Sequence, residues 1–137
     1  MSEDKKRLFV GKFDTSTMVV SGQVVDGFAD VTGDHNPIHL DDEAAARTPF
    51  GKRIAHGMIG ASLISAVIGN KLPGQGTVYI KQNLVFTGPV FLGDEITARV
   101  EAVEKLEKPG RWKLKTEVHK GNGDLVITGE ASVYYPE

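Results

Sequence analysis

The sequence predicts an α+β domain in which an antiparallel β-sheet wraps around one central buried α-helix. Three observations point to it. The run Gly57 to Lys71 is apolar around most of a helical circumference, the chain beyond Leu72 alternates with a period of two, and glycine-bearing turns separate the alternating runs. A helix that is apolar nearly all round needs cover on nearly every side, and strands with one apolar face need something to cover. Curling the sheet around the helix meets both needs.

Taken in order, the chain is expected to open with a strand around Leu8 to Phe13. Ser21 has the side chain of an N-cap for a short helix whose Val24, Phe28 and Val31 recur at helical spacing, and Gly33 is its C-terminal stop. In Asp34-His35-Asn36-Pro37-Ile38-His39, Pro37 lacks an amide hydrogen and pushes Asn36 out of the α region, so the stretch reads as a turn. A second short helix follows, capped by Asp41, with Asp42 and Glu43 at its positive end and Ala44 to Arg47 as its body. The helix from Gly57 to Lys71 should be on the order of 20 Å long at about 1.5 Å per residue, and Leu72-Pro73-Gly74 ends it. In the strands beyond, Val78, Ile80, Leu84 and Phe86 share one parity. Ile96, Ala98, Val100 and Ala102 oppose Thr97, Arg99 and Glu101, and Trp112, Leu114, Thr116 and Val118 alternate with charged residues. Leu125, Ile127, Ala131 and Val133 close the series. Pro109-Gly110 and Gly121-Asn122-Gly123 are the hairpin turns.

With 137 residues, no internal repeat and no linker, residues 1–137 are expected to form one domain. A formal net charge of −2 gives no support for a nucleic-acid surface. The short basic run Lys5, Lys6 and Arg7 reads as a solvated tail. Having no cysteine, the chain has no disulfide, thiolate nucleophile or cysteine-based zinc site, which fits a reducing cytoplasm. No apolar run reaches the ~20 residues a membrane span needs, and no signal-like apolar segment follows the first residues. The expectation is a soluble, untargeted protein with no nucleic-acid or membrane partner.

Four histidines, at positions 35, 39, 56 and 119, are the candidates for proton transfer near neutral pH. His119 falls on the polar face of its strand. His35 and His39 have the i, i+4 spacing of helical metal ligands, but Pro37 between them removes the helix that would align them, so no metal is expected. His56 reads as a brace at the entrance of the long helix, and Asn36 as the residue that fixes the turn through side-chain to backbone bonds.

The run Phe28-Ala29-Asp30-Val31-Thr32-Gly33-Asp34-His35-Asn36-Pro37-Ile38-His39-Leu40-Asp41 closely resembles the signature of the MaoC-like (R)-specific enoyl-CoA hydratases, whose fold is the hot-dog fold. Arg53-Ile54-Ala55-His56-Gly57-Met58 is similar to the start of that family's central helix. Pro89-Val90, Gly93-Asp94, Asn122-Gly123-Asp124 and Gly129-Glu130-Ala131 carry the resemblance onward, so that it spans about Gly22 to Val133. It implies that Asp34 and His39 are the catalytic pair, that the amide of Gly57 is the oxyanion donor, and that the Ser65 hydroxyl helps orient the carboxylate. It further implies an acyl-CoA thioester as substrate, no cofactor and a homodimer. The chemistry agrees with this set. Syn addition of water to a 2-enoyl thioester needs a group that takes a proton from water, delivery of a proton to Cα, and a donor for the developing enolate oxygen. Three other activities fit the same fold: a dehydratase acting on acyl groups tethered to acyl carrier protein, a thioesterase, and a non-catalytic acyl-CoA-binding module.

Overall fold

The computed structural model describes residues 7–136, so Lys5 and Lys6 of the basic run lie outside the described residues. In chain order the elements are β1 (Phe13–Val19), α1 (Gly22–Thr32), α2 (Pro37–Leu40), α3 (Asp42–Ala46), α4 (Gly57–Asn70), β2 (Val78–Gln82), β3 (Val85–Phe86), β4 (Glu95–Lys105), β5 (Arg111–Lys120) and β6 (Leu125–Tyr134). The strands make one antiparallel sheet in the order β1-β4-β5-β6-β2, with β3 also paired to β6.

The buried face of this sheet follows the alternation of the sequence. Ile96, Ala98, Val100 and Ala102 of β4 and Trp112, Leu114, Thr116 and Val118 of β5 are all buried, while their odd-numbered β4 and β5 neighbours face outward. Against this face α4 buries Ile59, Gly60, Leu63, Ile64, Val67 and Ile68. Each large side chain so removed from water contributes about 1.5–3 kcal/mol, which makes this contact the main source of the fold's stability.

Several elements differ from the expected ones. The opening strand lies at Phe13–Val19 rather than Leu8 to Phe13, because Gly11 takes a positive φ and turns the chain before the β-branched run begins. The turn around Asn36 passes directly into α2, since proline at the first helical position gives up only an amide that a helix leaves unpaired there anyway. The strand expected from Val78 to Phe86 is broken at Asn83, whose backbone and side chain both bond Glu130, and most of its apolar side chains are exposed. Near the start of β6 the register shifts opposite Val118 and His119, so Val126 and Ile127 are both buried and Leu125 is exposed. The long helix is covered on one side only, and its outer face carries the exposed Met58, Ser62, Ser65, Ala66 and Gly69.

The caps of α1 and α3 are where they were expected. The Ser21 hydroxyl accepts from the Val24 amide, Gly33 closes α1 at φ 81, and Asp41 accepts from the amides of Glu43 and Ala44. A positive φ at position 33 favours glycine, and it is this turn that throws Asp34 out of the helix direction.

Candidate active site

The loop after α1 is held by its own side chains. The Asp34 amide donates to the Thr32 hydroxyl at 3.2 Å, an Asp34 carboxylate oxygen accepts from the Asn36 amide at 3.3 Å, and the Asn36 side chain accepts from the Ile38 amide at 3.3 Å. Asn36 thus caps α2, and the single turn of α2 carries His39 inward until it is buried. His35 points the other way, exposed and 3.7 Å from Asp30. His119, partly exposed on β5, lies 3.7 Å from Glu117.

A second segment, Arg53 to His56, ties down what the first presents. The Arg53 Nε donates to the His39 carbonyl at 2.7 Å, and its guanidinium also reaches Asp26 at 3.3 Å. The Ile54 amide bonds the Ile38 carbonyl, and the Ile54 carbonyl accepts from His39 Nδ1 at 2.7 Å. A carbonyl oxygen can only accept, so His39 Nδ1 carries a proton, and in the neutral ring Nε2 is left as the acceptor. His56 donates from Nε2 to the Asp34 carbonyl at 3.0 Å, and its ring stacks on His39 with centroids 3.9 Å apart and planes 29° from parallel. Its Nδ1 is buried and has no partner among the described residues, at a cost of about 1–3 kcal/mol for an orphaned acceptor.

One ring nitrogen from each of His39 and His56 and a carboxylate oxygen of Asp34 lie within 4.8 Å of one another. The residue types suit a cation, but the arrangement does not. An ion would have to lie in both imidazole planes at once, and rings stacked face to face do not offer that point within bonding reach.

His39, His56 and Gly57 border a cavity of about 470 Å³ whose other walls are almost wholly apolar, with Val20, Ile59, Ile96, Val126 and Ile127 among the deepest residues. Phe50 and Phe86, both substantially exposed, stand at its mouth. Gly57 opens α4, where the first amides of a helix have no intrahelical acceptor and the helix dipole is positive. A methyl group at position 57 would sit 2.8 Å from the Phe86 ring. Asp34 is exposed beside this opening and does not line the cavity. Ser65 is exposed on the outer face of α4 and does not line it either. Such a cavity fits an apolar tail with a polar reacting head at the histidine end.

Asp34, His39, Gly57 and Ser65 were expected from the sequence, with Asn36 fixing the turn and His56 as a brace, but Arg53 and Ile54 were given no part. Arg53 and Ile54 stood in a noted motif, yet their service depends on which carbonyls come near them in space. Of the basic residues close to the motif, Arg53 is turned inward and Lys52 lies 4.5 Å above the Phe91 ring. Lys81 is exposed on β2.

Comparison with known proteins gives a consistent result. The family model described as the MaoC-like domain matches residues 9–123. A 3-hydroxybutyryl-CoA dehydratase of Methylorubrum extorquens is 47% identical over 130 residues, covering 95% of this chain and 82% of that protein. An (R)-specific enoyl-CoA hydratase of Aeromonas caviae is 46% identical over 112 residues, covering 82% of this chain and 84% of that one. Among solved structures, an unliganded R-hydratase from Pseudomonas aeruginosa superposes with a TM-score of 0.90 at 45% identity, over 95% of this chain and 83% of its own.

Proposed function

The chain belongs to the MaoC-like domain family, and from that premise we propose that it is a hydro-lyase that hydrates trans-2-enoyl-CoA to (R)-3-hydroxyacyl-CoA and catalyses the reverse dehydration. The observation that carries this reading is the placement of a His39 ring nitrogen within 4.8 Å of an Asp34 carboxylate oxygen, at one end of an apolar cavity that Gly57 also lines.

In the proposed reaction the acyl chain lies along Val20, Ile96 and Ile127, and the thioester oxygen accepts from the Gly57 amide. Asp34 and His39 hold one water between them. As its oxygen bonds to Cβ, one of its protons passes to the pair and is delivered to Cα, while the other stays on the new hydroxyl. Charge that accumulates on the thioester oxygen meets the positive end of α4. Protons taken equal protons returned and no electrons change hands, so the reaction as drawn requires no cofactor. Ser65 remains in this proposal as a hydroxyl that orients the carboxylate. Its exposed position on α4 makes that role depend on groups outside the single chain.

The active unit is proposed to be a homodimer. Val78, Tyr79, Ile80, Val85 and Phe86 form an exposed apolar edge on β2 and β3, of the kind that a second copy covers.

The test is loss of the conjugated enoyl absorbance of crotonyl-, hexenoyl- and longer enoyl-CoA, with chiral analysis of the product. The (R) alcohol is expected from each ester that turns over. Asp34→Asn and His39→Ala are expected to lower the rate at least ~100-fold in protein that still folds, since Asp34 is exposed in its loop and His39, though buried in α2, is not part of the hydrophobic core cluster. An (S) product, or near-normal rates in the folded variants, ends this reading. Preference for the carrier-protein ester over the CoA ester would move the substrate assignment to the tethered acyl group.

A further inference from the structure

The one buried side-chain polar atom left without a partner among the described residues, His56 Nδ1, lies in a residue that touches both halves of the proposed reacting pair. Its Nε2 donates to the main chain of Asp34 at 3.0 Å, and its face lies against the His39 ring at 3.9 Å. A third contact, with the Phe28 ring at 4.9 Å, backs it from α1. His56 is also the N-cap residue of α4, adjacent to Gly57, yet its side chain caps nothing there.

Resting on the hydratase reading above, we propose that His56 is a positioning residue of the hydration site. It holds the Asp34 main chain and the His39 ring together so that the carboxylate and His39 Nε2 stay aimed at one water. Two services are asked of one side chain: a flat ring to set the His39 plane, and an N–H at the far end of that ring to reach the Asp34 carbonyl. Filling space alone would not call for an imidazole. Phenylalanine offers the same flat ring of nearly the same volume and leaves no buried nitrogen unpaired. The orphaned Nδ1 is therefore the mark of a residue kept for its Nε2–H and its plane. Because His56 is covalently joined to Gly57, the same side chain links the two proton-handling groups to the oxyanion donor, and all three are registered to the start of α4.

Three substitutions separate the services. His56→Phe keeps the ring, loses the donor and removes the orphan; His56→Gln keeps a donor of similar reach and loses the ring; His56→Ala loses both. On crotonyl-CoA, kcat is expected to fall about 10- to 100-fold in His56→Phe and His56→Ala with KM within about twofold, as for misplaced groups that act in the transition state. His56→Gln is expected to regain part of what His56→Ala loses. His56→Phe should melt at or above the wild-type temperature, so that stability and turnover move in opposite directions, which a residue serving only the fold would not produce. A folded His56→Phe protein with wild-type kcat, or a loss confined to KM, overturns the role. A wild-type protein inert toward every enoyl thioester would overturn the reading of the reaction and this role with it, whereas an active wild type matched by His56→Phe overturns only the role.

Discussion

At the scale of single residues, Gly57 faces two demands that a side chain would set against each other. In the proposed reaction its amide is reached by a thioester oxygen, and a Cβ at this position would lie 2.8 Å from the nearest Phe86 ring carbon. Phe86 is half exposed and its ring can swing aside, so Gly57→Ala is expected to fold normally and to move that ring across the mouth of the cavity. The amide itself survives the change. Hydration should therefore fall about 10- to 100-fold from lost approach, and Gly57→Ala combined with Phe86→Ala should recover part of it. A single substitution that leaves kcat/KM unchanged would show that the oxygen does not pass this way. The roles of Asp34, His39, Gly57 and Ser65 came from the resemblance to the MaoC-like hydratases, carried by the run through Asn36-Pro37 and the start of the apolar helix; by type and spacing alone Asp34 reads as an ordinary turn residue. Asn36 could also be read, because an asparagine two residues before an amide bonds it locally. Arg53, Ile54 and His56 could not be given their tasks, since each acts on a main-chain or ring atom between 14 and 22 positions away.

At the scale of elements, legibility followed locality in the same manner. Ser21, Gly33 and Asp41 act within three or four residues, and their caps came out as read. The alternation of β4 and β5 was equally plain because both strands lie inside the sheet, with one face on α4. Edge elements were harder. At β2 the pattern suggests a half-buried strand, but the strand is at the margin of the sheet, carries a register shift between Tyr79 and Lys81, and exposes most of its side chains. Tyr79, though among these exposed residues, has its ring partly covered. Its hydroxyl donates to the Gln82 side chain, and burial pushes its ionisation up from 10.0 to about 12. The folded form holds this proton more tightly than the unfolded chain, so its contribution is whole below pH 10 and is lost as pH rises towards 12. Thermal melts across that window should therefore show wild-type protein losing more stability than Tyr79→Phe, and parallel curves would rule out the linkage.

At the scale of the whole molecule, the sheet ends in two unlike edges. On the β1 side the strand is mixed in character, with Thr15, Ser16 and Thr17 at its middle. On the other side β2 and β3 leave Val78, Tyr79, Ile80, Val85 and Phe86 open to solvent, with an unpaired strand margin beside them. A margin of that length and polarity is a template for another strand, and in a single chain nothing among the described residues covers it. Pairing with an identical copy across a two-fold axis closes the margin with one kind of contact and leaves no further edge of the same type, whereas a heterologous contact would propagate. Phe86 belongs to this apolar set and also lines the cavity, so in the proposed dimer the interface and the site would meet at one residue. The protein is therefore expected to run as a dimer at micromolar concentration in light scattering or sedimentation. Ile80→Lys, which puts a charge into the covered edge without touching α4 or the His39 loop, is expected to shift it towards monomer and to lower hydration of crotonyl-CoA in step with the monomer fraction. A wild-type monomer mass at that concentration would refute the dimer. An Ile80→Lys monomer with full activity would show that each chain holds a complete site on its own.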